Sequence, residues 1–175
     1  MPLYFIYTNL NFYDIIIKNR NVGIKMTKIL FVCHGNICRS PLAEFLMKEL
    51  VREKGRENDF YIESAATSTE EIGNGVYPPV KRILNARGID CSGKRARQMT
   101  RADYDKFDYI ICMDSKNLRN MGYIATDTSG KYSRLLDFTS NPHDVADPWY
   151  SGDFATTERD VEQGCEALLD YILKK

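Results

Sequence analysis

A nearly continuous apolar run, Lys28–Cys33 (KILFVC), stops at a polar loop, and a helix signal follows within seven residues. A short apolar run bounded in this way is the pattern of a strand buried on both faces. Such a strand needs helices on both sides, so the run points to an α/β fold. After the loop, Leu42, Phe45, Leu46 and Leu50 recur at helical spacing. Ser40 and Pro41 read as N-cap and first helical residue, and Gly55 as the stop. Phe60–Ser64 reads as a second strand and Val80–Arg87 as a helix ending at Gly88. Phe107–Met113 reads as a third buried strand, and Leu135 and Leu136 sit in a short fourth. Val161, Cys165, Leu168, Leu169 and Ile172 trace a C-terminal helical stripe. Strands alternating with helices predict a mostly parallel sheet, whose ligands sit at the carboxyl ends of the strands. The loops after Cys33, Ser64 and Met113 should therefore share one rim.

Composition narrows the function. The 175 residues fit one domain. With 24 basic against 24 acidic residues, the chain lacks the basic excess of a nonspecific nucleic-acid binder. Five cysteines without a CxxC pair, and only two histidines, argue against a disulfide scaffold and a structural zinc site. A reducing, cytoplasmic compartment is the expectation. Residues 1–25 lack the features of a signal peptide and are too interrupted by polar residues to span a bilayer. Met26 opens a segment that reads like a natural start, so residues 1–25 are expected to be an extension or a misassigned start, and 26–175 the domain. The first part carries three basic residues and one acidic, which leaves the domain slightly acidic.

The most informative stretch is Cys33-His34-Gly35-Asn36-Ile37-Cys38-Arg39-Ser40, a C-x5-R-S pattern between strand and helix. A loop at a helix N-terminus aims backbone N–H groups at one point and forms an anion nest, which the helix dipole reinforces. Gly35 and Asn36 suit left-handed dihedrals in a tight loop. Arg39 offers a planar fork to two phosphate oxygens. The donors that bind phosphate also stabilise a thiolate, with Ser40 within reach of the sulfur, so Cys33 is the candidate nucleophile and phosphocysteine the expected intermediate. A bare C-x5-R is a weak signal. Its placement between strand and helix, with Gly and Asn inside, is what gives it weight.

Displacing an alcohol or phenol also needs a general acid. Asp147, in Asp147-Pro148-Trp149-Tyr150 ahead of the last helix, supplies a carboxyl group. Trp149 and Tyr150 are expected to shield it and to stack on a flat aryl leaving group.

These segments together resemble the low-molecular-weight protein tyrosine phosphatases. The carriers are VCHGNICRSPLAE (32–44), ESAATS (63–68), IGN (72–74), ARQMT (96–100), FDYIICMD (107–114) and DPWY (147–150). They occur in the family's order and cover essentially all of residues 27–172. The resemblance implies a three-layer α/β domain with a four-stranded parallel sheet flanked by helices. It implies hydrolysis of phosphotyrosine in proteins and of small aryl phosphates, with Cys33 as nucleophile, Arg39 as phosphate clamp and Asp147 as general acid. The phosphate-binding set is His34, Gly35, Asn36, Ile37, Cys38, Arg39 and Ser40. Asn36 and Ser40 match the residues that shape the loop and hydrogen-bond the thiolate, with Ser64 behind them. Cys38 matches a neighbouring cysteine that can form a reversible disulfide with Cys33 and so limit over-oxidation. Glu70, Trp149 and Tyr150 match the substrate pocket. No metal or organic cofactor is implied, the partner is a tyrosine-phosphorylated protein, and the expected state is a monomer or weak homodimer without stable membrane insertion.

Departures from the family pattern are specific. His34 follows the nucleophile where an apolar residue or Thr is common. Lys94 stands where some members carry His. Glu70 replaces an aromatic pocket wall, which should disfavour acidic peptides. Ile37 fits tyrosine-directed members, whereas arginine-phosphate phosphatases carry Thr there. Two other readings use the same loop. A thiol-dependent arsenate reductase needs a cysteine relay, but Arg119 stands seven residues after Cys112, and Cys91 and Cys165 are not spaced for one. A non-catalytic phosphotyrosine-binding or redox module would not need both Cys33 and Asp147.

Overall fold

The computed structural model describes residues 26–175, so the reading of residues 1–25 as an extension lies outside the described residues. Strand β1 (Thr27–Cys33) leads through the loop into helix α1 (Arg39–Glu53), and β2 (Phe60–Ala66) and α2 (Pro78–Ala86) follow. Next come α3 (Arg101–Lys106), β3 (Tyr109–Cys112), α4 (Ser115–Ile124), β4 (Tyr132–Arg134) and a 3₁₀ turn at Leu135–Phe138. A one-turn helix α5 (Pro148–Ser151) and the long α6 (Phe154–Leu173) complete the domain. The sheet has the order β2-β1-β3-β4, and every pairing is parallel.

The apolar run reads as it does because β1 is central. Ile29, Phe31 and Cys33 face one layer, with Leu42 and Met47 of α1, Leu84 of α2 and Leu168 of α6. Leu30 and Val32 face the other, with Phe107, Ile110 and Met121. Full burial of a Leu, Ile or Phe contributes about 1.5–3 kcal/mol, so residues 29–32, all at 0% exposure, anchor both layers at once. Cys33 is in register with Ala66, and Val32 with Cys112, so three strands end on one level, as the rim argument requires.

Four local expectations are corrected. Leu135 and Leu136 are not in the fourth strand. That strand is Tyr132–Arg134, and the two leucines lie in the 3₁₀ turn because the Asp137 carboxylate accepts the Arg134 backbone N–H (2.9 Å) and closes the chain. The third strand is shorter than Phe107–Met113, since the Phe107 amide donates to Asp103 O (3.0 Å) and ends α3 instead. Ser40 is not the N-cap and Pro41 is not the first helical residue. α1 begins at Arg39, and the Ser40 hydroxyl turns to Cys33. Gly35 does not take a left-handed conformation; Asn36 does, at φ 59°. What demands glycine at 35 is space: a Cβ there would stand 3.1 Å from Glu71 Cγ.

Candidate active site

Five residues bridge β1 and α1, and their carbonyls are drawn outward. Cys33 O accepts from Thr67 N (2.9 Å), His34 O from Ser68 N (3.0 Å) and Ile37 O from Tyr77 N (2.9 Å). A peptide N–H points opposite its C=O, so the amides of His34, Gly35 and Cys38 turn toward the inside of the loop, as an anion nest requires. Asn36 holds the shape. Its left-handed backbone costs on the order of 1–2 kcal/mol. Its buried side chain offsets that cost, with Oδ1 accepting from Arg97 N (3.2 Å) and Nδ2 donating to Ser40 Oγ (2.9 Å) and Ser64 Oγ (2.8 Å).

Those bonds orient the groups around the sulfur. Cys33 Sγ accepts from Asn36 N (3.3 Å) and lies 3.0 Å from Ser40 Oγ. Ser40 Oγ accepts from Asn36, and its proton has two acceptors in reach, Sγ at 3.0 Å and the more distant Ala65 O at 3.4 Å. Behind it, the Ser64 hydroxyl donates to Glu44 Oε2 (2.6 Å), a carboxylate 4% exposed. Lys94 Nζ meets that carboxylate at 2.8 Å and Ser64 O at 3.0 Å, and Lys48 Nζ takes its other oxygen at 2.5 Å. Lys94 therefore joins the network directly. Burial opposes ionisation of Glu44, but the two ammonium groups outweigh it and hold its carboxyl below the usual range.

Arg39 is 2% exposed, and both terminal nitrogens of its guanidinium are paired. Nη1 donates to Asp114 Oδ2 (2.6 Å) and Val145 O (3.1 Å), and Nη2 to Asp147 Oδ2 (2.5 Å). Burial disfavours its charge, yet the negative groups at Cys33, Asp147 and Asp114 keep the guanidinium more firmly protonated than usual. Asp147 is the N-cap of α5, where its Oδ1 accepts from Trp149 N (3.1 Å). Trp149 and Tyr150 do not cover that carboxylate as expected. Their side chains stand into solvent, 58% and 84% exposed, and Trp149 leans on Tyr77 at 5.4 Å between ring centroids.

A cavity of about 250 Å³ opens over the loop. Every predicted site residue lines it except Asn36, Ser40 and Ser64, which are buried behind it. Glu70 is on the wall, 2.9 Å from His34 Nε2. Cys33 and Cys38 are the two cysteines on the cavity, both free thiols. Burial, then the charges at Cys33 and Asp147, push the Cys38 thiol up to about 12. Cys91, Cys112 and Cys165 are buried away from the cavity, with thiols raised chiefly by burial, as packing residues would be.

Sequence reasoning missed Asp114, Glu44 and Glu71. Asp114 had a signal, as an acidic residue between a strand and a polar helix start; it caps α4 by accepting from Asn117 N (2.6 Å). Glu44 had one too: it shares the apolar stripe of α1, where a carboxylate must find a buried partner.

The family model described as "Low molecular weight phosphotyrosine protein phosphatase" matches residues 28–175. The chain belongs to that family. Among members with similar sequences is the low molecular weight protein-tyrosine-phosphatase YfkJ of Bacillus subtilis (strain 168), 40% identical over 153 residues that cover 86% of this chain and 98% of that one. The low molecular weight phosphotyrosine protein phosphatase of Gallus gallus is 38% identical over 159 residues, covering 83% of this chain and 96% of the relative. The YfkJ crystal structure superposes with a TM-score of 0.82 at 39% identity, over 85% of this chain and 96% of that one. The drosophila arginine phosphatase structure shares the fold at a TM-score of 0.75 and 26% identity, over 83% and 98% of the two chains. The family's four-stranded parallel sheet flanked by helices is the fold observed here. No helix among the described residues is long and apolar enough to cross a membrane.

Proposed function

We propose that this protein hydrolyses phosphotyrosine in proteins, and small aryl phosphates, through a phosphocysteine on Cys33. The observation that carries this reading is the convergence of Cys33 Sγ, Arg39 and Asp147 on one cavity above an amide-lined loop. Family membership and the phosphatase names of relatives at 38–40% identity support it.

The Cys33 sulfur attacks phosphorus in line with the ester bond. The P–S bond forms as the P–O bond breaks, and the Asp147 carboxyl gives its proton to the departing phenolate. Arg39 and the loop amides hold the three equatorial oxygens, whose charge a preorganised, water-poor site stabilises best. Water then attacks the phosphocysteine. Asp147, now a carboxylate, takes the water's proton, the P–S bond breaks, and inorganic phosphate leaves with the thiolate restored. The chemistry assigned to these residues calls for no metal or organic cofactor.

His34, Gly35, Ile37 and Cys38 complete the phosphate loop, Asn36, Ser40 and Ser64 hold its shape, and Glu70, Trp149 and Tyr150 form the pocket wall. Ile37 favours a tyrosine-directed site over an arginine-phosphate one. Cys38 closes a reversible, protective disulfide with Cys33 under oxidation, a role that its free thiol on the same cavity supports. Residues 26–175 are the phosphatase domain, and 1–25 an extension or a misassigned start. The working compartment is the cytoplasm, and the protein acts as a monomer or weak homodimer on tyrosine-phosphorylated proteins, not on nucleic acid.

Phosphate release from p-nitrophenyl phosphate and from a phosphotyrosyl peptide tests the reading. Vanadate should inhibit it, and Cys33→Ser should lower turnover on the order of 10⁴-fold or more, the scale on which nucleophile loss acts. A Cys33→Ser protein as active as the parent would overturn the mechanism.

A further inference from the structure

The cavity that would receive a phosphate dianion is lined by more negative than positive side chains. Glu70, Glu71, Asp114 and Asp147 face Arg39 and Lys116. Asp114 and Asp147 are both paired to Arg39, so the remaining charges belong to the mouth. There they are divided. Glu70 and Glu71 lie on the loop after β2, and Lys116 lies in the first turn of α4.

The acidic wall sits close to the phosphate loop. Glu71 Cγ packs against Gly35, and its carboxylate is held by Asn74 Nδ2 at 2.6 Å. Glu70 is freer: its side chain is 69% exposed, and His34 Nε2 aims it along the wall at 2.9 Å. Beside this wall stands exposed Ile72, and Trp149 and Tyr150 stand on the loop of the general acid; these are three of the six large exposed hydrophobic residues among those described. Of the three, Trp149 and Tyr150 line the cavity, and exposed apolar groups at such a mouth mark a surface that meets polypeptide.

We infer that the Glu70–Glu71 wall selects phosphotyrosine segments carrying a Lys or Arg next to the phosphotyrosine, with Glu70 as the specificity-determining residue. This rests on the phosphotyrosine reading above. The substrate phosphate brings two negative charges into a cavity already acidic in balance. A neighbouring cation is attracted by the wall and by the phosphate alike, whereas a neighbouring carboxylate is repelled by both. Glu70 matters more than Glu71 because its carboxylate reaches solvent and its partner is a side chain of the same rim. Exposed charges act weakly in water, so the preference is on the order of tenfold and is screened by salt.

The test compares two phosphotyrosyl peptides that differ only in a Lys or an Asp beside the phosphotyrosine, with p-nitrophenyl phosphate as the substrate that has no neighbour. The ratio of the two peptides' kcat/KM is measured for the parent, Glu70→Gln and Glu70→Lys. The expected result is a roughly tenfold preference for the Lys peptide, a smaller one in Glu70→Gln, its loss or reversal in Glu70→Lys, and weakening at high salt. Equal kcat/KM for both peptides in the parent, or one ratio shared by all three proteins, would overturn the inference. Turnover of p-nitrophenyl phosphate with neither peptide hydrolysed would overturn the phosphotyrosine reading and this inference with it.

Discussion

Arg39 Nη2 and Asp147 Oδ2 are in contact at 2.5 Å, so the proposed phosphate clamp and the proposed proton donor touch through one guanidinium nitrogen. A phosphate held by Arg39 would therefore lie next to the Asp147 carboxylate. Asp114, at 2.6 Å on Nη1, keeps the other edge in place meanwhile.

Asp114 is therefore a positioning residue whose loss should be felt at Arg39. Removing one partner of a buried charge pair costs about 2–5 kcal/mol. Asp114→Asn keeps the shape of the side chain and its cap on α4, and should lower kcat/KM on the order of 10²-fold while weakening inhibition by inorganic phosphate. A variant with unchanged phosphate inhibition would show that Arg39 needs no such support.

The acid role of Asp147 predicts a leaving-group effect. Asp147→Asn should slow hydrolysis by about 10²–10⁴-fold for esters of poorly acidic phenols, the usual worth of a positioned general acid, and far less for p-nitrophenyl phosphate. A series of substituted phenyl phosphates gives the slope of log kcat against leaving-group acidity, which should steepen in the variant. Parallel slopes would argue against proton donation from this residue.

Glu44 links the site to stability and to pH. Its carboxyl is held below 4.5 in the fold. The stabilisation is thus complete above the unfolded value and is lost as pH falls through the lower folded one. Glu44→Gln leaves Lys94, 11% exposed, without its counter-charge, and should cost about 3 kcal/mol at neutral pH. That corresponds to a fall in Tm of roughly 6–12 °C. Thermal melts taken as pH falls from neutral into the acid range should draw together for parent and variant; a gap that stays constant would mean that the charge is not what stabilises.

Gly164, midway along α6, reports on packing alone. An alanine normally gains about 1 kcal/mol over glycine in a helix. Here the new Cβ would stand 2.4 Å from Leu135 Cγ, so overpacking of the helix against the 3₁₀ turn should prevail, for a net loss of about 1–2 kcal/mol in urea unfolding. A stabilised Gly164→Ala protein would show that the contact yields easily.

Much of this molecule can be read from local chemistry. The run at 28–33 and the C-x5-R-S loop between strand and helix announce a buried parallel strand and an anion nest, because continuous burial and strand-to-helix loops leave marks on neighbouring residues. The same holds for Asp147 before Pro148, where a cap and a rigid turn are written in adjacent positions. Local reading erred where a residue had two local uses and the fold took a third. Ser40 has the chemistry of a cap, but the tight loop starts the helix two residues earlier and turns the hydroxyl to Cys33. Leu135 and Leu136 have strand propensity, but Asp137 closes a turn beneath α6.

The partners of the charged groups come from far along the chain. Arg39 meets Asp114 and Asp147, 75 and 108 positions away, and Glu44 meets Lys94 beneath Ser64. No spacing rule connects them, because they meet only after parallel strands bring their carboxyl ends to one level. The abrupt end of the apolar run at Cys33 already announces the loop on which the candidate site is built. Which carboxylates pair with Arg39 and which one steadies the network behind Cys33 depends on long-range burial, where each charge must find its counter-charge in space.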